Sequence, residues 1–320
     1  MTMHPDLSRL LERNRASGGP PLQDMDLADA RQAMRDMFLA NGYPLRHAAR
    51  VEHISSASTG AHFDATIYRP EHVEGPLPAI VYFHGGGFVL GDAETYDAHS
   101  RALAHLLEAA VVFVGYRLAP EHPFPAAIED AHAVIEWLSR SACELGIDPA
   151  LIALMGESAG GNLAVNAALH AGRTGVLKLR AATLIYPVAD ARPFASGGQT
   201  DRYPSLSRYA QGTNLEHAEM QWFMVNYLPN SADAQRPENV LELHPDLALM
   251  PPTRIITAEC DPLRDMGLQF ANTLMEAGVT TRAECLPGML HSFMCHGGIS
   301  GRALRHFFRI VEMLAGDLNR

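Results

Sequence analysis

The stretch at residues 151–162, LIALMGESAGGN, constrains this chain more than any other. LIALM is a continuous apolar run of strand length, AGGNLAVNAALH is a small-residue helix, and Gly156, Ser158 and Gly160 form a G-x-S-x-G between them. That layout predicts a serine at the apex of a sharp strand-to-helix turn, its hydroxyl projecting from the sheet while small neighbours let strand and helix pass closely. An ordinary glycine-rich turn has the same local pattern, so the serine's meaning depends on the rest of the chain.

The rest supplies the sheet. Residues 50–56 and 62–70 alternate, as two antiparallel edge strands would, whereas 78–85 and 109–117 are continuously apolar and suit strands covered on both faces. Residues 180–188, 252–261 and 280–288 give three more strands, and with the strand before Ser158 the count is eight. Helices alternate with them from the third strand onward, which predicts an α/β fold with a mostly parallel, doubly wound sheet. Two parts stand outside this rhythm. Residues 1–45 carry apolar side chains at helical spacing around an SGGPP break, and 190–250 contain no strand-like run, only a helix around EHAEMQWFMVNYL. An interval of that length is improbable as a bare connection, so it is expected to be an insertion over the carboxyl ends of the strands. The expected organisation is a cap from 1–45 and 190–250 over a core from 46–189 and 251–320.

Composition narrows the function classes. With 320 residues, a hydrophobic fraction of 47% and a formal net charge of -11, the chain suits one large folded unit and not a nucleic-acid binder, whose phosphate-facing surface is basic. Cys143, Cys260, Cys285 and Cys295 contain no C-x-x-C and read as reduced thiols. The opening residues lack a signal peptide's apolar run and no segment reaches membrane-span length, so a cytoplasmic location is expected.

A serine hydroxyl is a weak nucleophile and needs a base, a group to orient that base, and donors for the oxyanion that forms. His84-Gly85-Gly86-Gly87-Phe88, directly after the third strand, offers the donors: two of its N–H groups with that of Ala159 can converge on one oxygen. For the base, His291 and His296 follow the eighth strand in a loop returning over the sheet's carboxyl edge. His291 is nearer the strand and is preferred. For the acid, Asp261 closes the seventh strand, with Asp265 one helical turn on and Glu259 two residues back as competitors.

Together, HGGGF at 84–88, YRLAPEHPFPAA at 116–127, GESAGG at 156–161 and DPLRD at 261–265 with a later histidine resemble the bacterial hormone-sensitive-lipase-like esterases of the α/β-hydrolase fold. The resemblance implies an eight-stranded core with a helical cap, Ser158 as nucleophile, Asp261 as acid, His291 as base, and Gly86, Gly87 and Ala159 as oxyanion hole. It implies hydrolysis of short- to medium-chain carboxylic esters without metal or organic cofactor, and a homodimer through the last strand's edge. Phe88 and Phe223 are candidates to line the acyl pocket. Glu157 and Ser292 depart from the family's usual residues, and rearranged hydrogen bonds and an altered loop shape are expected there. Amide, lactone or carbamate hydrolysis would use the same chemistry. A non-catalytic binder on this fold and a metallohydrolase are weaker alternatives, the second because the chain has no H-E-x-x-H.

Overall fold

Which strands lie inside follows from how continuously apolar they are. The computed structural model describes residues 3–45, 47–195, 198 and 201–318. Its strands are β1 (Ala49–Ile54), β2 (Asp64–Pro70), β3 (Leu77–Phe83), β4 (Ala110–Gly115), β5 (Ile147–Glu157), β6 (Ala182–Ile185), β7 (Thr253–Cys260) and β8 (Thr281–Leu290). They form one sheet in the order β1-β2-β4-β3-β5-β6-β7-β8. The alternating pair lies at one edge, where β2 runs antiparallel to both β1 and β4, and every later pairing is parallel.

Period-2 alternation distributes the central strands between two apolar layers. Ala79, Val81 and Phe83 of β3, with Ile152 and Leu154 of β5, face the layer of α5 (Ala126–Ser141), α6 (Ala159–Thr174) and α9 (Arg264–Glu276). Ile80, Tyr82, Ala153 and Met155 face the opposite layer, with α4 (Asp97–Leu107), α10 (Gly301–Leu318) and α1 (Pro5–Ala16). A second N-terminal helix, α2 (Leu27–Asn41), reaches both layers, with Phe38 in this one and Ala30 in the other. Among the described residues no helix is long and apolar enough to cross a membrane.

The interval after β6 holds α8 (His217–Tyr227), as its apolar residues predict, and also α7 (Pro204–Arg208) and several single-turn 3-10 segments. Like α3 (Ser56–Thr59), these are too short to show a period in sequence. A bridge between Asp190 and Val240 brings the ends of the interval together. β8 continues through Pro287 and Gly288 to Leu290, although that dipeptide reads as a stop. A register shift against β7 between Ala258 and Cys260 accommodates the extension, and Leu290 pairs with Cys260.

Candidate active site

The parallel sheet delivers its chemistry at the carboxyl ends of successive strands. His84 follows β3, Ser158 follows β5, Tyr186 follows β6, Asp261 follows β7 and His291 follows β8. A parallel sheet puts all these ends on one rim, which is where such folds place ligands.

Ser158 stands at φ 53° and ψ −120°, a conformation that L-residues seldom adopt. Its N–H donates to Ile185 at 2.9 Å and its carbonyl accepts from Gly161 and Val188, both at 3.0 Å, so hydrogen bonds hold the strained turn from both sides. The flanking glycines are required by space. A Cβ on Gly156 would stand 2.1 Å from the carbonyl oxygen of Gly160, and one on Gly160 the same 2.1 Å from that of Phe83. Strand and helix therefore meet backbone to backbone.

The imidazole of His291 lies between the other two groups. Its Nε2 is 3.0 Å from Ser158 Oγ and its Nδ1 is 2.8 Å from Asp261 Oδ2. The second oxygen of Asp261 accepts the N–H of Leu263 at 2.8 Å. Asp261 is fully buried and His291 nearly so, while Ser158 keeps 8% of its surface exposed. A proton on Nδ1 directed at the carboxylate leaves Nε2 free to accept the serine proton. The competing carboxylates are engaged elsewhere and the competing histidine is enclosed. Glu259 accepts the N–H of Gly288, Asp265 accepts from Ser205 and Arg264, and His296 lies wholly buried, where desolvation lowers its pKa to about 4.

Beside the serine, Gly86, Gly87 and Phe88 have φ of 107°, 62° and 66°, a run of left-handed residues that carries the loop around. Gly86 closes it by accepting from the N–H groups of Val89 and Leu90 at 3.0 and 2.8 Å. Gly85 packs against Ser158, since a Cβ there would lie 3.4 Å from the serine Cβ. Among the described residues, the N–H groups of Gly86, Gly87 and Ala159 have no protein acceptor. His84 steadies the loop from below. It is stacked between Phe113 and Tyr116, its Nδ1 lies 2.7 Å from the carbonyl of Gly85, and burial lowers its pKa to about 4.

Glu157 is buried, and its carboxylate accepts from the hydroxyls of Tyr82 at 3.2 Å and Tyr186 at 2.5 Å. Tyr186 also lies against the His291 ring, with centroids 4.6 Å apart. Ser292 takes φ 55° immediately after His291, so a serine occupies a left-handed position there. The ring of Phe223 rests on Gly87, and Phe88 is buried in a parallel stack with Tyr227, centroids 3.9 Å apart. Glu219, on the same helix as Phe223, has its pKa raised to about 7 by burial, with His291 acting weakly in the opposite sense. Neither Tyr186 nor Asn214, which donates to the carbonyl of His291, is evident in the sequence. Tyr186 has one retrospective signal, its place one residue past a strand end, and Asn214 has none.

The pattern of the alpha/beta hydrolase fold family matches residues 80–295. An ethyl acetate hydrolase of Pseudomonas putida is 32% identical over 326 residues, covering 99% of this chain and 100% of that protein. The structure of a hyperthermophilic esterase from Pyrobaculum calidifontis superposes with a TM-score of 0.88 at 35% identity, covering 99% of each chain. That of a thermostable esterase from Pseudomonas putida ECU1011 superposes at 0.91 and 30% identity, covering 99% of this chain and 98% of the other. The chain belongs to the alpha/beta hydrolase fold family, among the hormone-sensitive-lipase-like esterases that its motifs resemble.

Proposed function

We propose that this carboxylic ester hydrolase cleaves short- to medium-chain acyl esters through an acyl-enzyme on Ser158, with His291 as general base and acid and Asp261 as the group that orients it. The observation that carries this reading is the unbroken line of contacts Ser158–His291–Asp261, at 3.0 and 2.8 Å, on three strand ends of one sheet.

In this mechanism His291 Nε2 takes the Ser158 proton as Oγ attacks the ester carbonyl carbon. The carbonyl oxygen gains a full negative charge next to the free N–H groups of Gly86, Gly87 and Ala159, with Gly85 backing the loop. Donors fixed beforehand by the fold stabilise that charge without reorganising. Collapse breaks the bond to the alkoxide, which takes the proton from His291 as it leaves. A water molecule then repeats the sequence on the acyl-serine, again through His291, and releases the acid.

Phe223 over Gly87 supports the acyl-length reading by placing an aromatic wall beside the reacting carbonyl, and the ethyl acetate hydrolase among the relatives is in keeping with a small acyl group. The free thiols of Cys143, Cys260, Cys285 and Cys295 support a reducing compartment. Among the described residues no strand lies beyond β8 in the sheet, which supports pairing with a second copy of the chain. The test of the reaction is a panel of chromogenic esters of graded chain length, run on the wild type and on Ser158→Ala. Activity should fall about ten-thousandfold or more in the variant. Retention of ester hydrolysis in Ser158→Ala would refute the mechanism.

A further inference from the structure

We propose that Asn214, carried by the insertion, is a positioning residue for the reaction: its side-chain amide holds the backbone carbonyl of His291 and so fixes where the imidazole stands relative to Ser158. The inference rests on His291 being the base.

The Nδ2 of Asn214 donates to the His291 carbonyl at 2.7 Å, across 77 residues of sequence. That carbonyl needs an external donor. β8 ends at Leu290, Ser292 turns the chain into the left-handed region at φ 55°, and the 3-10 turn Phe293–His296 follows at once. Past its last sheet partner, the His291 carbonyl has no other donor among the described residues. A buried carbonyl left unpaired is unfavourable, and the cheapest relief is a shift of the residue that bears it. Here that residue is the base.

The amide can hold the carbonyl in only one orientation. Asn214 Oδ1 is buried without a partner, and turning the amide over would set oxygen against oxygen. The turn bearing Asn214 is itself braced. Thr213 Oγ1 donates to the Leu215 carbonyl, Gly212 N–H to Glu216 Oε1 and Glu216 N–H to Glu219 Oε2, each at 2.7 Å, and Leu215 is buried. Farther along the same insertion Phe223 rests on Gly87, in the loop of candidate oxyanion donors. One element thus touches both the base and the donors, and it takes part in aligning the catalytic groups as well as covering them. Misplacing a catalytic group by about an ångström costs up to a hundredfold in rate, so this contact acts on turnover more than on binding.

The test compares Asn214→Ala, the isosteric Asn214→Asp, which loses the N–H donor, and Asn214→Gln, which keeps it. Thermal melting identifies the folded variants. For the Ala and Asp variants kcat should fall about ten- to hundredfold on acetyl and hexanoyl esters alike, with KM changing by less than about threefold. The rate at which a fluorophosphonate labels Ser158 should fall by the same factor, and the Gln variant should recover part of the loss. A folded Asn214→Asp within about twofold of wild-type kcat would overturn the inference, as would a loss confined to KM or to one chain length. Should Asn214→Ala fail to fold, the Asp variant decides alone; should both fail, Asn214→Ser, which also removes the amide donor, is read by the same criteria. A wild type that neither cleaves esters nor takes the label would instead remove the hydrolase reading itself.

Discussion

Burial disfavours a charged imidazole, and His84 and His296, both buried near the rim, show it. His84 sits beneath the glycine loop and His296 near His291, and burial lowers the pKa of each to about 4 from the ordinary 6.5. Between these values the unfolded chain binds protons that the folded chain refuses. Stability is therefore present in full above about pH 6.5, falls as pH drops through that value, and stops falling on this account near pH 4, where the folded histidines also protonate. Each residue steepens the slope by up to about 1.4 kcal/mol per pH unit within the window. Urea midpoints measured at pH 7, 6 and 5 should decline, and His296→Gln should flatten the decline; an unchanged slope would show that His296 does not titrate in this way. A second expectation concerns Glu157, whose buried carboxylate is held by two tyrosine hydroxyls. Tyr186→Phe should lower the unfolding free energy by about 1–3 kcal/mol, read from denaturant titration, because a buried hydrogen bond to the Glu157 carboxyl group is lost without a replacement. The sequence pointed to Ser158 through its G-x-S-x-G, and to Asp261 and His291 through their places at the ends of the seventh and eighth strand-like runs. It did not single out Tyr186, which reads as part of the strand-like run 180–188, or Asn214, because their partners lie 29 and 77 residues away.

At the scale of elements, legibility followed length and periodicity. All eight strands were readable because each is an alternating or continuous apolar run, and α8 because its apolar residues recur at helical spacing. The short α7 and the 3-10 turns were not, because five residues or fewer complete little more than one turn. Where α8 lies over the core was equally hidden, since that depends on Phe223 meeting Gly87 from a distant part of the chain. The contact is close: a Cβ on Gly87 would stand 2.2 Å from the Phe223 ring. Phe223→Ala should accordingly open space beside the glycine loop. The ratio of kcat/KM for octanoyl over acetyl esters should rise by about tenfold, since each added methylene in an apolar site contributes on the order of 1 kcal/mol or more. A chain-length panel with an unchanged ratio would assign Phe223 to packing alone.

For the whole molecule, the unexpected weight falls on the N-terminal helices. From sequence they read as part of a cap, because they precede the first strand and carry apolar residues at helical spacing. Their packing gives them a second task. Leu7, Leu10 and Leu11 of α1 are buried, and Leu7 and Leu11 belong to the same apolar layer as Phe293, Phe307 and Leu314. The N–H of His4 donates to the carbonyl of Gly288 at 3.0 Å, so the start of α1 is tied to the strand that ends at His291. On the other side, Arg31 of α2 donates to the carbonyls of Val89 and Ala119, and Arg35 pairs with Asp92, just beyond the glycine loop. A separable lid, lifted off, would leave the core intact and alter only which esters enter. A flank built into the apolar layer beneath His291 behaves differently, because removing its side chains loosens the layer and the rim together. Leu7→Ala and Leu11→Ala should each lower the unfolding free energy by about 2–5 kcal/mol. As temperature rises, activity of the double variant on acetyl and octanoyl esters should fall in parallel with its folded fraction, measured by circular dichroism. If the two activities diverge while the fold persists, the N-terminal helices act as a lid and not as a foundation.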